Sequence, residues 1–168
     1  GKLLGFQLWI NMPSNAKMNK PKYDYIKANQ IPRYKDKDKR INLIAGKFDD
    51  IEGNVKGHNV EPIYFDIDLE KNKKIDLDVP VTHNSFVYLL KGDLKIGKNG
   101  HEKIKDSTLI LLKRGSKLEI QANEKSKFLF IAGKPIGEPI ARGGPFVMNT
   151  KQEILKAIQD YNNGTFTE

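Results

Sequence analysis

The 168-residue chain has no cysteine, which removes disulfides, thiolate metal ligands and cysteine nucleophiles together. It has three histidines, His58, His83 and His101, too far apart for an H-x-H or H-x-x-x-H pair. The usual way of placing two imidazoles on one ion from a single strand or helix is therefore missing. No serine stands in a G-x-S-x-G elbow, which excludes that acyl-transfer motif. The one pair of adjacent glycines, in Arg142-Gly143-Gly144-Pro145, lacks G-x-G-x-x-G spacing and is followed by a proline that donates no amide. That segment reads as a turn and not as a phosphate cradle.

Long apolar runs are also missing, and nothing approaches the ~20 residues of a membrane-spanning helix. Lys2 is followed only by Leu3-Leu4 before the pattern breaks, so no secretory signal is read there, and a reducing, cytoplasmic setting is expected. The chain starts on Gly1 and not on methionine, so an internal start is also expected.

What is present is charge and short strands. The formal charge is +8, and residues 1–60 carry 12 basic against 6 acidic side chains. The densest run is Arg33 to Arg40, five bases and two acids. Acids interrupt it, lysine outnumbers arginine, and no regularly spaced aromatics offer a stacking platform. It is expected to be a solvated loop, and nucleic acid is not expected as a partner.

Phe6-Gln7-Leu8-Trp9-Ile10-Asn11 has strand composition and ends at Pro13. Residues 14–40, with Pro21 and Pro32, are expected to form an extended connection. From Ile41 short strands are expected at 41–45, 62–69, 74–79, 86–90, 93–97, 108–112, 117–121 and 127–132. Turn signals such as Lys91-Gly92-Asp93 separate them at sandwich or barrel spacing. Asp66 and Asp68 alternate with Phe65 and Ile67, so they are expected on a solvent face and not as an acid/base pair. Thr150 and Glu153 have capping-box spacing before an apolar stripe of Ile154, Ala157, Ile158 and Tyr161, and Gly164 suits the stop. The fold class is all-β with one carboxy-terminal helix.

Two stretches carry a family resemblance. Gly5-Phe6-Gln7-Leu8-Trp9-Ile10-Asn11-Met12-Pro13 is similar to the pirin strand that ends that family's first barrel. Gly144-Pro145-Phe146-Val147-Met148-Asn149-Thr150, preceded by Gly137-Glu138-Pro139-Ile140, is similar to the pirin signature near the carboxy terminus. Asn84 to Asp93 and Phe130 to Pro135 follow the family order between them.

The resemblance implies a cupin-type β-barrel or sandwich, the carboxy-terminal half of a two-barrel protein. Residues 1–13 would be the last strand of a missing first barrel, 14–40 the connection, 41–148 the second barrel and 149–168 the helix and tail. Pirins carry a non-haem iron in the first barrel, held by an H-x-H and a later H-x-E pair. Some are described as quercetin 2,3-dioxygenases, and animal members as nuclear transcription cofactors. Laying the second barrel on the first through Tyr88-Leu89-Leu90-Lys91-Gly92 puts Asp78 and Pro80 at the H-x-H places, and Ile120 and Ala122 at the H-x-E places. No catalytic residue, metal or cofactor is expected in this half, although a small organic ligand has room in such a barrel. The apolar Phe6, Leu8, Trp9 and Ile10 are expected to form an interface with a first barrel, a second copy or another protein. The rival expectations are that this is a fragment of an iron-dependent dioxygenase, or of a transcription cofactor.

Overall fold

A computed structural model describes residues 5–56, 59–97, 104 and 106–166. The chain divides into two compact units, Tyr25–Pro135 and a second formed by Gly1–Asp24 with Ile136–Glu168. The strands of the first unit, the body, run from Arg33 to Gly133.

The body contains β1 (Arg33–Lys35), β2 (Lys39–Ala45), β3 (Lys47–Phe48), β4 (Ile51–Glu52), β5 (Ile63–Leu69) and β6 (Lys74–Asp78). It continues with β7 (Asn84–Lys91), β8 (Leu94–Ile96), β9 (Thr108–Leu111), β10 (Lys117–Ala122) and β11 (Ser126–Gly133). Six strands form one sheet in the order β1-β2-β5-β11-β7-β9, and three form another in the order β6-β10-β8. The two share one core but are not joined by a strand ladder, so the architecture is a sandwich.

Strict alternation builds it. In β5 every second residue is buried, from Ile63 through Phe65 and Ile67 to Leu69, while Asp66 and Asp68 point outward. Those two aspartates do face away from the core, yet they are tied into the sheet. The Lys127 ammonium lies 2.6 Å from Asp66, whose other oxygen accepts from Asn42 at 2.9 Å, and Arg40 Nε donates to Asp68 at 3.0 Å. In the core, Phe128 and Phe130 of β11 are fully buried between Ile41, Leu43, Val87 and Leu89 on one sheet and Leu77 and Ile120 on the other. Each such burial contributes about 1.5–3 kcal/mol.

The basic run at 33–40 is a β-hairpin and not a loop, because Asp36 organises its turn. Its carboxylate accepts from the Asp38 and Lys39 backbone N–H groups at 2.7 and 2.8 Å and pairs with the Lys39 ammonium. Those contacts, led by the Lys39 side chain, hold the Asp36 carboxyl well below the usual carboxylate range. Within residues 14–40 there are also two short 3-10 turns, Ser14–Ala16 and Ala28–Gln30.

The second unit holds a hairpin, β12 (Ala141–Gly143) and β13 (Phe146–Met148), and the helix α1 (Lys151–Asn163). Gly144 and Pro145 form the hairpin's two-residue turn, and Gly144 takes the left-handed φ of 56° that glycine tolerates. The helix has the expected cap. Thr150 accepts from the Glu153 N–H at 3.2 Å, and Glu153 accepts from the Thr150 N–H at 2.7 Å. Gly164 ends it in the left-handed conformation. Phe146 packs edge-on against Tyr161 at 5.9 Å and against Phe166 at 5.0 Å.

The strand expected at residues 6–11 is not present. These residues form no ladder, and the described strands of their unit, β12 and β13, pair with each other. Strand composition alone does not make a strand, which also needs a partner edge in register.

Candidate functional site

In a metal-binding cupin the donors must point into the sandwich, so the decisive question is which side chains do so here. On β6 the inward positions are Ile75 and Leu77, continued by Val79, and Asp76 and Asp78 lie on the exposed face. Asp78 and Pro80 are therefore outside the core. A one-residue offset flips a strand's faces, and the buried pair at that end is Leu77 and Val79. Ile120 and Ala122 do point inward, at 1% and 0% exposure, opposite Ile75 and Leu94. The interior side chains at these places are all hydrocarbon. None of the four donates a lone pair to a divalent ion, so these positions do not fit an iron centre.

Among the described residues, no group of three histidine, aspartate or glutamate side chains comes together as a metal would require. His83 stands just before β7, is 2% exposed and is already engaged. Its Nε2 lies 3.0 Å from the Glu61 carbonyl, which can only accept, so Nε2 carries the proton. Its Nδ1 then accepts from the Thr82 hydroxyl at 3.3 Å. His58 and His101 lie outside the described residues.

Of the five cations of the basic hairpin, Lys39 pairs with Asp36 at 2.8 Å, the Arg40 guanidinium pairs with Asp68, and Arg33 donates to the Asn42 amide oxygen at 2.7 Å. Exposed pairs of this kind contribute little to stability.

The second unit carries a more open feature, a groove of about 620 Å³. Trp9, Ile10, Met12 and Met18 form one wall, and Ile140, Phe146 and Met148 are among the residues of the other. Trp9 is 71% exposed and Met18 60%. Of the expected interface residues, Phe6, Trp9 and Ile10 are exposed and Leu8 is half-buried. Trp9 and Ile10 enter the groove wall, and Phe6 and Leu8 do not.

A polar frame holds this unit together. The Glu138 carboxylate accepts from the Ser14 N–H and the Asn149 amide, both at 2.8 Å. The Ser14 N–H, with Asn149 and the nearby Lys17 ammonium, holds the Glu138 carboxyl below the ordinary glutamate range. The Thr150 and Asn149 backbone N–H groups do the same for Glu153. Of the signature residues, Asn149 and Thr150 thus serve the frame, Gly144 and Pro145 form the turn, and Phe146, Val147 and Met148 line the groove. Sequence reasoning missed the partners of Trp9 in that groove. The available signal was that all three methionines of the chain fall outside the alternating strands of the body.

Residues 64–167 match the family model described as the pirin C-terminal cupin domain. The chain is 33% identical to human pirin over 162 residues, covering 95% of this chain and 56% of that protein. A pirin-like protein of Caulobacter vibrioides is 30% identical, with 99% of this chain and 60% of that protein covered. The chain therefore spans less than two-thirds of the length of these curated relatives. The crystal structure of a quercetin 2,3-dioxygenase from Acinetobacter baumannii superimposes with a TM-score of 0.85 at 36% identity, over 94% of this chain and 55% of that one. With the sandwich, the capped helix and the 64–167 match in agreement, the chain belongs to the pirin family, through its carboxy-terminal cupin domain.

Proposed function

We propose that this chain is a non-catalytic cupin scaffold, a docking half whose interior supports the fold and whose amino-terminal segment binds a partner. One observation carries the reading. Leu77, Val79, Ile120 and Ala122 all point inward and belong to one apolar core. Hydrocarbon side chains offer neither an open coordination site nor a proton relay.

Docking is assigned to Phe6, Leu8, Trp9 and Ile10. Three of the four are exposed, and covering such side chains is favourable by about 1.5–3 kcal/mol each. The partner is a first cupin barrel, as the pirin resemblance implies, and a second copy takes its place when the chain is alone.

A second reading has specific support, the 36% identity to the Acinetobacter baumannii quercetin 2,3-dioxygenase. On that reading the chain is the supporting half of an iron-dependent dioxygenase acting on a flavonol, and the chemistry belongs to the other half. Oxygen uptake with quercetin tests both readings. The chain alone should be no faster than iron alone, and turnover abolished by substituting a residue of this chain would overturn the scaffold reading.

A further inference from the structure

We propose that the groove of the second unit is a binding site for a small amphipathic anion, an aromatic or short-chain carboxylate whose apolar body lies among the methionines and whose charge meets Arg142. This rests on the groove alone; because Trp9 and Ile10 also belong to the proposed docking segment, a ligand here and a docked partner compete for them. The protein has three methionines and one tryptophan, and Met12, Met18, Met148 and Trp9 all line this one groove. Unbranched, polarizable thioethers beside an indole make a surface that adapts to a flat or flexible apolar ligand. Its volume of about 620 Å³ falls in the range of small-molecule sites, about 300–1,000 Å³.

The polar groups specify the charge. Lys17, Asn11 and Arg142 lie in a wall that is otherwise apolar or backbone. Lys17 is spoken for, since its ammonium donates to Asn11 Oδ1 at 2.7 Å and lies near the Glu138 and Glu153 carboxylates. Arg142 is exposed and pairs with no carboxylate among the described residues. Among the described residues no carboxylate lines the groove. An apolar slot with one uncompensated guanidinium selects an apolar molecule bearing an anion, because a guanidinium binds carboxylate through two parallel hydrogen bonds.

The residues supply their own probes. With the methionine methyls labelled with carbon-13, three resonances report on the site, and the single tryptophan gives an independent fluorescence signal. Titration of the full chain with 1-naphthoate should shift all three methyls and Trp9 along one saturable curve. The uncharged 1-naphthalenemethanol should bind about tenfold more weakly, and Arg142→Gln should weaken naphthoate by about the same factor, as loss of one charge-assisted pair implies. Equal affinity for the charged and uncharged probes overturns the proposal. So do methyls that fail to saturate, whatever the oligomeric state. Because the wild-type titration needs no variant, a misfolded Arg142→Gln does not shield the proposal. Docking is read separately, by light scattering.

Discussion

A β-carbon placed on Gly143 would lie 2.4 Å from Ile154 Cγ2, so the last residue of β12 is glycine because helix α1 seats directly on its backbone. Ile154 is β-branched and 7% exposed, which leaves it no easy rotamer to escape into. Gly143→Ala should cost about 1–3 kcal/mol through overpacking. The helical circular dichroism signal should be lost at a lower temperature than in the wild type. In an Ile154→Ala background, where Cγ2 is gone, the same substitution should cost close to nothing. Additive costs would show that the two residues do not meet.

The body should respond to loss of Phe130 as a close-packed interior does. Phe130 has no exposed surface and faces Phe65 at a ring separation of 6.1 Å. Phe130→Ala should lower the urea stability by about 3–5 kcal/mol. A cost below about 1 kcal/mol would mean that the interior holds spare space, which would reopen the question of a ligand there.

Acid should act first on the second unit. Glu138 and Glu153 both have folded-state pKa values below their unfolded ones. Their contribution is therefore present above the ordinary glutamate range and is lost as pH falls through the lower folded values. Trp9 fluorescence should report a transition as the pH is taken below the ordinary glutamate value of about 4.3. Glu138→Gln should flatten that transition, and an unchanged titration curve in the variant would show that Glu138 does not carry it.

The exposed amino-terminal segment gives the docking reading its own test. In light scattering the chain alone should have a mass above that of one copy, increasing with concentration, and Trp9→Asp should return it to a single chain. A wild-type chain that stays monomeric at high concentration would contradict self-docking through this segment.

The body was legible because strands such as β5 and β6 alternate strictly and turn residues separate the others. All eight strands expected from Ile41 onward are present, with ends within about two residues. The helix was equally legible, from the Thr150 and Glu153 cap to Gly164. Pairing partners were not. Phe6 to Asn11 have strand composition but join no ladder, and Arg33 to Arg40 read as a charged loop because the organising role of Asp36 lies in its contacts. Of the compared positions, Ile120 and Ala122 face inward and Asp78 and Pro80 do not. Matching Tyr88-Leu89-Leu90-Lys91-Gly92 sets the alignment on β7, but the face of β6 is fixed by its own alternation, which puts Leu77 inside and Asp78 outside. The groove was hidden because Trp9 and Met148 are far apart in the chain.

The most direct test of the scaffold reading is the metal content of the purified chain after loading with ferrous iron and removal of excess, by elemental analysis. Well under one iron per chain is expected, because the inward positions carry Leu77, Val79, Ile120 and Ala122. One tightly held iron per chain, lost on substituting His83 or His101, would contradict the account and place metal chemistry in this half.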